Sequence, residues 1–305
     1  KRIFALLMTL MLTLTCLPAL AAQETQPTPI ETIPYDQIPQ NREGIHHYLL
    51  LCMDHWNGGT NGNSDGIVLL TFDTRAGRIM LTSLLRDSLV ERPDGKIGRI
   101  NYIVKDWGPE ALCKVISTHL GIRVEKYVVF NFQQVANIVD YMGGVEIEVS
   151  PAEARYLRDY PLSPSQTTPS MNRAGTYLFT GRAAVIYMRI RKVGGDGDNG
   201  RMRRMRTVLT TLAQKYADVD LGSAMELLTA VRGCIVQTNM GLQDMMQALN
   251  YAFELRGVTP EGLQMPPVEA MEDITYAGMA TRQVDFEYAR KVLADFLEQG
   301  YAVMD

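Results

Sequence analysis

The sequence predicts an α/β protein with a mixed central sheet flanked by helices on both faces. Two observations predict it. Short apolar runs of strand length alternate with longer segments whose apolar residues recur at helical spacing. A composition of 46% hydrophobic and 21% charged residues over 305 positions supports a real core.

In chain order, residues 1–22 come first. They start basic, run apolar from Ile3 to Leu17 and end on Ala19-Leu20-Ala21. That is the pattern of a secretory signal peptide, and the uncharged stretch is also long enough for a membrane anchor. Either reading makes the protein extracytoplasmic, a secreted or N-terminally anchored component of the cell envelope. Residues 23–43 are rich in Pro, Gln, Thr and Glu, which reads as a flexible tether. One domain is then expected over 44–305.

Within it, HYLLLCM (47–53) reads as a buried strand. GIVLLTF (66–72) and RIMLTSLL (78–85) flank Asp73-Thr74-Arg75-Ala76-Gly77, a hairpin signal. PEALCKVISTHLG (109–121) has helical spacing and a terminal glycine. KYVVFNF and VEIEV read as strands on either side of a helix, FQQVANIVDYMGG. After a polar loop (161–173), TGRAAVIYM reads as a short helix capped by Thr180. NGRMRRMRTVLTTLAQKYAD reads as a second helix, with Met202, Met205, Leu209, Leu212 and Tyr216 on one apolar stripe. The C-terminal third is expected to be mostly helical.

Beyond the leader, Cys52, Cys113 and Cys234 are too few and too scattered for a disulfide framework. His46, His47, His55 and His119 lack metal-ligand spacing. A formal charge of −4 and a pI near 5.7 exclude a general nucleic-acid binder.

Against that acidic background, YMRIRKVGGDGDNGRMRRMR (187–206) gathers six arginines, one lysine and two aspartates. Four of the arginines fall in the first turns of a helix, where the dipole prefers negative charge. A compensating anion is therefore expected there, and the helix start is itself an anion site. Arg201 and Arg204 share the inward face beside the apolar stripe; Arg203 and Arg206 point elsewhere. Arg189 and Arg191 share a face of an extended segment. No aromatic platform interleaves them, as a single-stranded nucleic acid would require.

A second cluster is expected at a sheet edge. If the first three strands run antiparallel, Asp54, Asp65, Arg86 and Asp87 meet at one end. The connecting loop is rich in Gly and Asn, so its backbone can approach a ligand closely. Carboxylates with arginines and no histidine suit a phosphate ester handled through a hard cation. Mg²⁺, or Mn²⁺ in its place, takes one or two carboxylates plus phosphate oxygens, while arginines neutralise developing charge. The reaction classes are phosphoryl transfer and pyrophosphate hydrolysis.

The ordered segments LLLCMD, NSDGIVLLTFD, LTSLLRDS, RIN, NFQQVANIVDYMGGVEIEV, GTYLFTGRAAVIYMRIR and DNGRMRRMR, over about residues 47–215, resemble the LytR-CpsA-Psr family of cell-envelope proteins. The resemblance implies a phosphotransferase that moves an anionic glycopolymer, such as teichoic acid or capsule, from an undecaprenyl-pyrophosphate carrier to peptidoglycan, working at the membrane surface. It implies an apolar groove for the lipid. Carried over, Asp54 and Asp65 are the Mg²⁺-associated aspartates. Arg86, Arg99, Arg189, Arg191, Arg201 and Arg204 are the pyrophosphate-binding residues. Arg86, Asp87 and Asp198 are the catalytic group, with Asp198 as base. Two positions depart from the pattern: Asn63 where an arginine is usual, and Met205 where a glutamine is usual. Two further readings stand beside this one, a secreted polyprenyl-pyrophosphate hydrolase and a non-catalytic envelope regulator.

Overall fold

A computed structural model describes residues 24–56, 62–159, 173–195 and 197–299. The leader reading of residues 1–22 lies outside the described residues.

The first strands follow the apolar runs. β1 (Ile45–Met53), β2 (Ser64–Asp73) and β3 (Arg78–Leu84) form an antiparallel meander. β4 (Leu89–Glu91) and β5 (Ile97–Arg99) make a small hairpin, followed by α1 (Ile103–Trp107) and α2 (Pro109–Leu120). Pro109 opens α2, where its missing N–H costs nothing, and Gly121 closes it with φ 71°. β6 (Lys126–Asn131) returns parallel to β1 and leads into α3 (Phe132–Tyr141), capped by the Asn131 side chain.

β7 (Val145–Val149) and β8 (Gly175–Phe179) pair as a ribbon, with α4 (Pro151–Asp159) between them in sequence. α5 (Gly181–Met188), α6 (Gly197–Lys215) and α7 (Leu221–Gly233) follow. The remainder is β9 (Gln237–Thr238), α8 (Leu242–Glu254), β10 (Glu261–Met265), β11 (Met271–Tyr276), β12 (Met279–Val284) and α9 (Phe286–Glu298).

The main sheet has six strands in the order β10-β3-β2-β1-β6-β9. Parallel β1–β6 and β3–β10 pairs beside antiparallel ones make it mixed. Strand period assigns the faces. Leu49, Leu51 and Met53 of β1 join Leu112, Ile116 and Leu293 of α2 and α9. Tyr48 faces the other way, toward Phe72, Val128 and Met245. A second core joins the β7–β8 ribbon to α4, α5 and α6 through Val145, Phe179, Tyr187 and Val208. Helices thus cover both faces.

Three expectations are corrected. Residues 24–43 are docked and not a free tether. Ile38 is 2% exposed, the Ile33 amide donates to Thr118 O at 2.8 Å, and Arg123 donates to Ile38 O while lying over Tyr35. A polar composition did not prevent binding, because one isoleucine and one guanidinium fix the segment. Thr180 makes no side-chain cap to α5; Asp140 Oδ1 takes the Gly181 amide at 2.7 Å instead. A side chain at Gly181 would strike Ala136 O at 1.9 Å, so glycine lets α5 lie against α3. Finally, the C-terminal third carries the expected helices, but three strands lie between α8 and α9. β10 (EGLQM) has no apolar run, and its strand state comes from pairing with β3.

Candidate active site

Antiparallel β1–β2–β3 brings Asp65 and Arg86 to one end of the sheet, and the start of α6 closes over them. Asp65 is salt-bridged to three guanidiniums: Arg86 at 2.5 Å, Arg201 at 3.1 Å and Arg191 at 3.4 Å. The same three reach Asp198, at 3.0, 3.2 and 3.0 Å respectively. Asp87 lies 3.7 Å from Arg86 and 3.3 Å from Arg99. Four guanidiniums therefore meet three carboxylates, and apart from Arg191 their side chains are mostly buried. A site with excess positive charge behind low-dielectric walls is an anion site.

This geometry answers the dipole conflict. Asp198 sits in the first turn of α6, where a carboxylate is favoured. With Asp65 it supplies internal counter-charge for Arg201. An external anion is not required to hold these arginines in place, so the two aspartates occupy the positions of charge that an anionic ligand would share.

The carboxylates are unequal. Asp87 is pushed up to about 6, by burial first and then by the hydrogen bond it shares with Asp198. Burial also pushes Asp198 upward, but that hydrogen bond together with Arg201, Arg86 and Arg191 holds it well below the usual carboxylate range. A carboxylate of raised proton affinity thus sits beside one of lowered proton affinity, and the two titrate as a pair. Asp87 Oδ1, Asp198 Oδ1 and Arg99 Nε are buried and make no hydrogen bond. The carboxylates expected to hold a hard cation, Asp54 and Asp65, are oxygen donors of the kind it takes. Among the described residues, no three His, Cys, Asp or Glu side chains converge to hold a metal by themselves.

Not every expected residue joins this cluster. Arg204 does not. It is 2% exposed and donates to Glu153 at 2.6 Å and to Ile190 O at 3.0 Å. It ties α6 to α4 within the second core, one helical step away from the anion cluster. Glu153 carried no sequence signal, since only the tertiary packing of α4 brings it to α6. Arg189 is exposed and lies over the Phe132 ring at 4.4 Å. Asp54 is exposed at the end of β1, its amide donating to Asn63 O at 3.1 Å.

Beside the cluster opens an apolar cavity of about 310 Å³. Asp65, Arg189 and Arg201 stand on its wall, and Leu50, Val68, Phe130, Ile138, Leu209 and Val231 line the rest. The α6 stripe is therefore divided: Met202 is core at 1% exposed, whereas Met205, Leu209 and Leu212 face this cavity. Met205, the departure from the family pattern, adds to the apolar wall. Gly66 makes room for it, as a Cβ there would meet Met205 Sδ at 3.2 Å and Cys52 Cβ at 3.0 Å. A second apolar cavity of about 280 Å³ shares Leu50, Leu209 and Leu212 with the first. A charged head and a long apolar body are what the two features together accommodate.

A family model described as "LytR_cpsA_psr family" matches residues 20–291. The Biofilm regulatory protein A of Streptococcus mutans is 26% identical over 209 residues, covering 65% of this chain and 50% of that protein. The chain thus spans half the length of that relative. The polyisoprenyl-teichoic acid–peptidoglycan teichoic acid transferase TagU of Enterococcus faecalis is 26% identical over 240 residues, covering 77% of this chain and 75% of that protein. Among solved structures, TagT bound to LI-WTA superposes with a TM-score of 0.68 at 20% identity, covering 92% of this chain and 100% of that one. The family protein YwtF (TagT) with bound octaprenyl pyrophosphate lipid gives 0.65 at 18% identity, with 92% and 100% coverage. Both superpositions establish the mixed α/β fold.

Proposed function

The chain belongs to the LytR-CpsA-Psr family, and from that premise we propose that it transfers an anionic glycopolymer from a polyprenyl-pyrophosphate carrier to peptidoglycan, forming a phosphodiester. The observation that carries this reading is the junction of an arginine–aspartate cluster with an apolar cavity at Asp65, Arg189 and Arg201. A pyrophosphate with a polyprenyl tail has that shape and polarity. Teichoic acid is the polymer named for relatives such as TagU; undecaprenyl is the carrier we expect.

In this reading Arg86, Arg191 and Arg201 turn from Asp65 and Asp198 to the phosphate oxygens. Guanidinium is suited to that exchange, since carboxylate and phosphate offer it the same bidentate edge. Arg189 faces the ligand from the cavity mouth. Negative charge that builds on the phosphoryl oxygens meets donors already held in place.

The base is Asp87 in preference to Asp198. A base works best when its proton affinity lies near the operating pH. Asp198, held low by three guanidiniums, is a weak proton acceptor; Asp87 is raised and has an oxygen without a hydrogen bond. Mg²⁺, or Mn²⁺, would be held by Asp54 and Asp65 together with phosphate oxygens, and when bound would supply charge neutralisation at the pyrophosphate.

We assign the work to the outer face of the membrane, with peptidoglycan as acceptor. Among the described residues no helix is long and apolar enough to cross a bilayer. The test is turnover of a synthetic polyprenyl-pyrophosphate disaccharide by the full chain with peptidoglycan oligomers. The expected products are polyprenyl monophosphate and a phosphodiester-linked glycan, identified by mass. Products formed equally well without glycan would make the protein a hydrolase. Lipid binding without any product would make it a regulator.

A further inference from the structure

A cleft of about 490 Å³, which shares no lining residue with the apolar cavity, opens between the β4–β5 and β11–β12 hairpins. Its lining includes Arg92, Lys96, Arg99, Tyr102 and Tyr276; Arg92 is paired with Asp94 at 2.8 Å and Arg99 with Asp87 at 3.3 Å. The two hairpins are fixed to each other and to the active site. Arg99 donates to Ala280 O at 2.6 Å, and the Arg282 amide donates to Asp87 O at 3.0 Å. Arg99 also reaches Asp87 Oδ1 at 3.3 Å. A single residue thus lines the cleft and touches the candidate base.

We propose that this cleft receives the acceptor, an anionic glycan strand, and delivers one of its hydroxyls to Asp87. The proposal rests on the transferase reading and adds where the second substrate enters. Three arguments carry it. The cleft is lined by cations and tyrosine rings, which suit carboxylate-bearing sugars through charge and ring stacking. A second cleft, lined from the other end of the β11–β12 hairpin, has the opposite character, with Glu31, Glu269, Glu272, Asp285 and Glu287 around the single cation Arg290. An anionic strand is therefore steered to the turn end of that hairpin and not to its open end. Last, Asp87 Oδ1 and Arg99 Nε are buried without hydrogen bonds, an acceptor and a donor within one ion pair. A glycan hydroxyl satisfies both.

The two substrates then meet at the cluster. The acceptor hydroxyl oxygen attacks the phosphorus that carries the glycopolymer, forming a new P–O bond. Its proton passes to Asp87. The bond from that phosphorus to the bridging oxygen breaks, and the electron pair leaves on polyprenyl monophosphate. The proton on Asp87 can later return to the released phosphate or to solvent, so atoms and charge balance.

The test is direct binding of a soluble muramyl-peptide tetrasaccharide to the full chain, measured by calorimetry. Lys96→Glu and Tyr276→Ala are compared with wild type, and affinity for octaprenyl pyrophosphate is measured alongside. Both residues are away from the arginine–aspartate cluster. The expected result is glycan affinity lowered at least tenfold in each variant with lipid affinity unchanged. Undetectable glycan binding by wild type, or binding untouched by both substitutions, overturns the cleft assignment. Failure of wild type to bind the lipid strikes the transferase reading instead, and the glycan measurement still decides the cleft.

Discussion

Arg201 Nη1 lies 3.1 Å from an Asp65 carboxylate oxygen, with each side chain 8% exposed. The pair joins the first turns of α6 to the start of β2, and it stands on the wall of the apolar cavity. Arg201 is thus both a structural cation and a candidate ligand-binding one.

Its removal has two readable consequences. Arg201→Ala takes one partner from a buried ion network, which costs about 3 kcal/mol when the remaining charge stays unpaired. Asp65 and Asp198 keep Arg86 and Arg191, so the loss is expected below that figure, near 1–2 kcal/mol. Binding of octaprenyl pyrophosphate is expected to fall by on the order of 10²-fold, as for loss of a charge-assisted phosphate contact. Denaturant titration and lipid-binding isotherms check the two separately. Unchanged lipid affinity would remove Arg201 from the phosphate site.

Arg204 is expected to behave differently. Its guanidinium is paired with Glu153 in the second core and does not line the lipid cavity. Arg204→Ala leaves Glu153 buried beside Tyr187 and Ile190, at a cost of about 3 kcal/mol. Arg204→Met with Glu153→Gln restores much of that loss, because no net charge remains buried. Melting temperature reads the stability. Lipid affinity of the double variant should match wild type, and a tenfold drop would return Arg204 to the ligand site.

The contrast between these two arginines shows what the sequence disclosed. The 201/204 spacing correctly placed both on the inward face of α6, but a helix face several residues wide can meet two environments. Asp65 and Glu153 come from distant segments, and no local pattern says which arginine each will meet. The antiparallel meander was legible because β1, β2 and β3 are apolar runs joined by a turn motif. β10, β11 and β12 were not, since half-exposed strands take their state from neighbours. The unequal carboxylates were also hidden: Asp87 and Asp198 look alike in sequence, and only burial and shared guanidiniums separate them.

Two buried histidines are expected to make the fold acid-sensitive. Burial lowers His47 and His119 to about 4 from an ordinary value of 6.5. The Glu91 amide donates to His119 Nε2 at 2.9 Å, so that nitrogen accepts and Nδ1 carries the proton toward Val115 O at 2.7 Å. The ring is therefore neutral in the fold. Between pH 6.5 and 4 the unfolded chain binds the extra proton and the folded chain does not. Acidification through that window therefore destabilises, by up to about 3 kcal/mol per histidine. His47→Gln should flatten the fall in melting temperature over this window. An equal slope in the variant would assign the acid sensitivity elsewhere.

Activity should show its own acid limb, governed by Asp87. The base must be deprotonated, and Asp87 is raised to about 6. The transfer rate under kcat/KM conditions is expected to fall tenfold per pH unit below about 6. Asp87→Asn should lose about 10²–10⁴ in rate through loss of the base, with lipid affinity retained. Asp198→Asn supplies the sharper test. The hydrogen bond and charge of Asp198 both raise Asp87, while Arg86 and Arg99 lower it. Burial, the largest cause, still raises Asp87 in that variant, but the contribution of the Asp198 charge is gone while both guanidiniums remain, so the acid limb should move to lower pH. A limb that stays at the same pH in Asp198→Asn would show that a group other than Asp87 titrates in the transfer step.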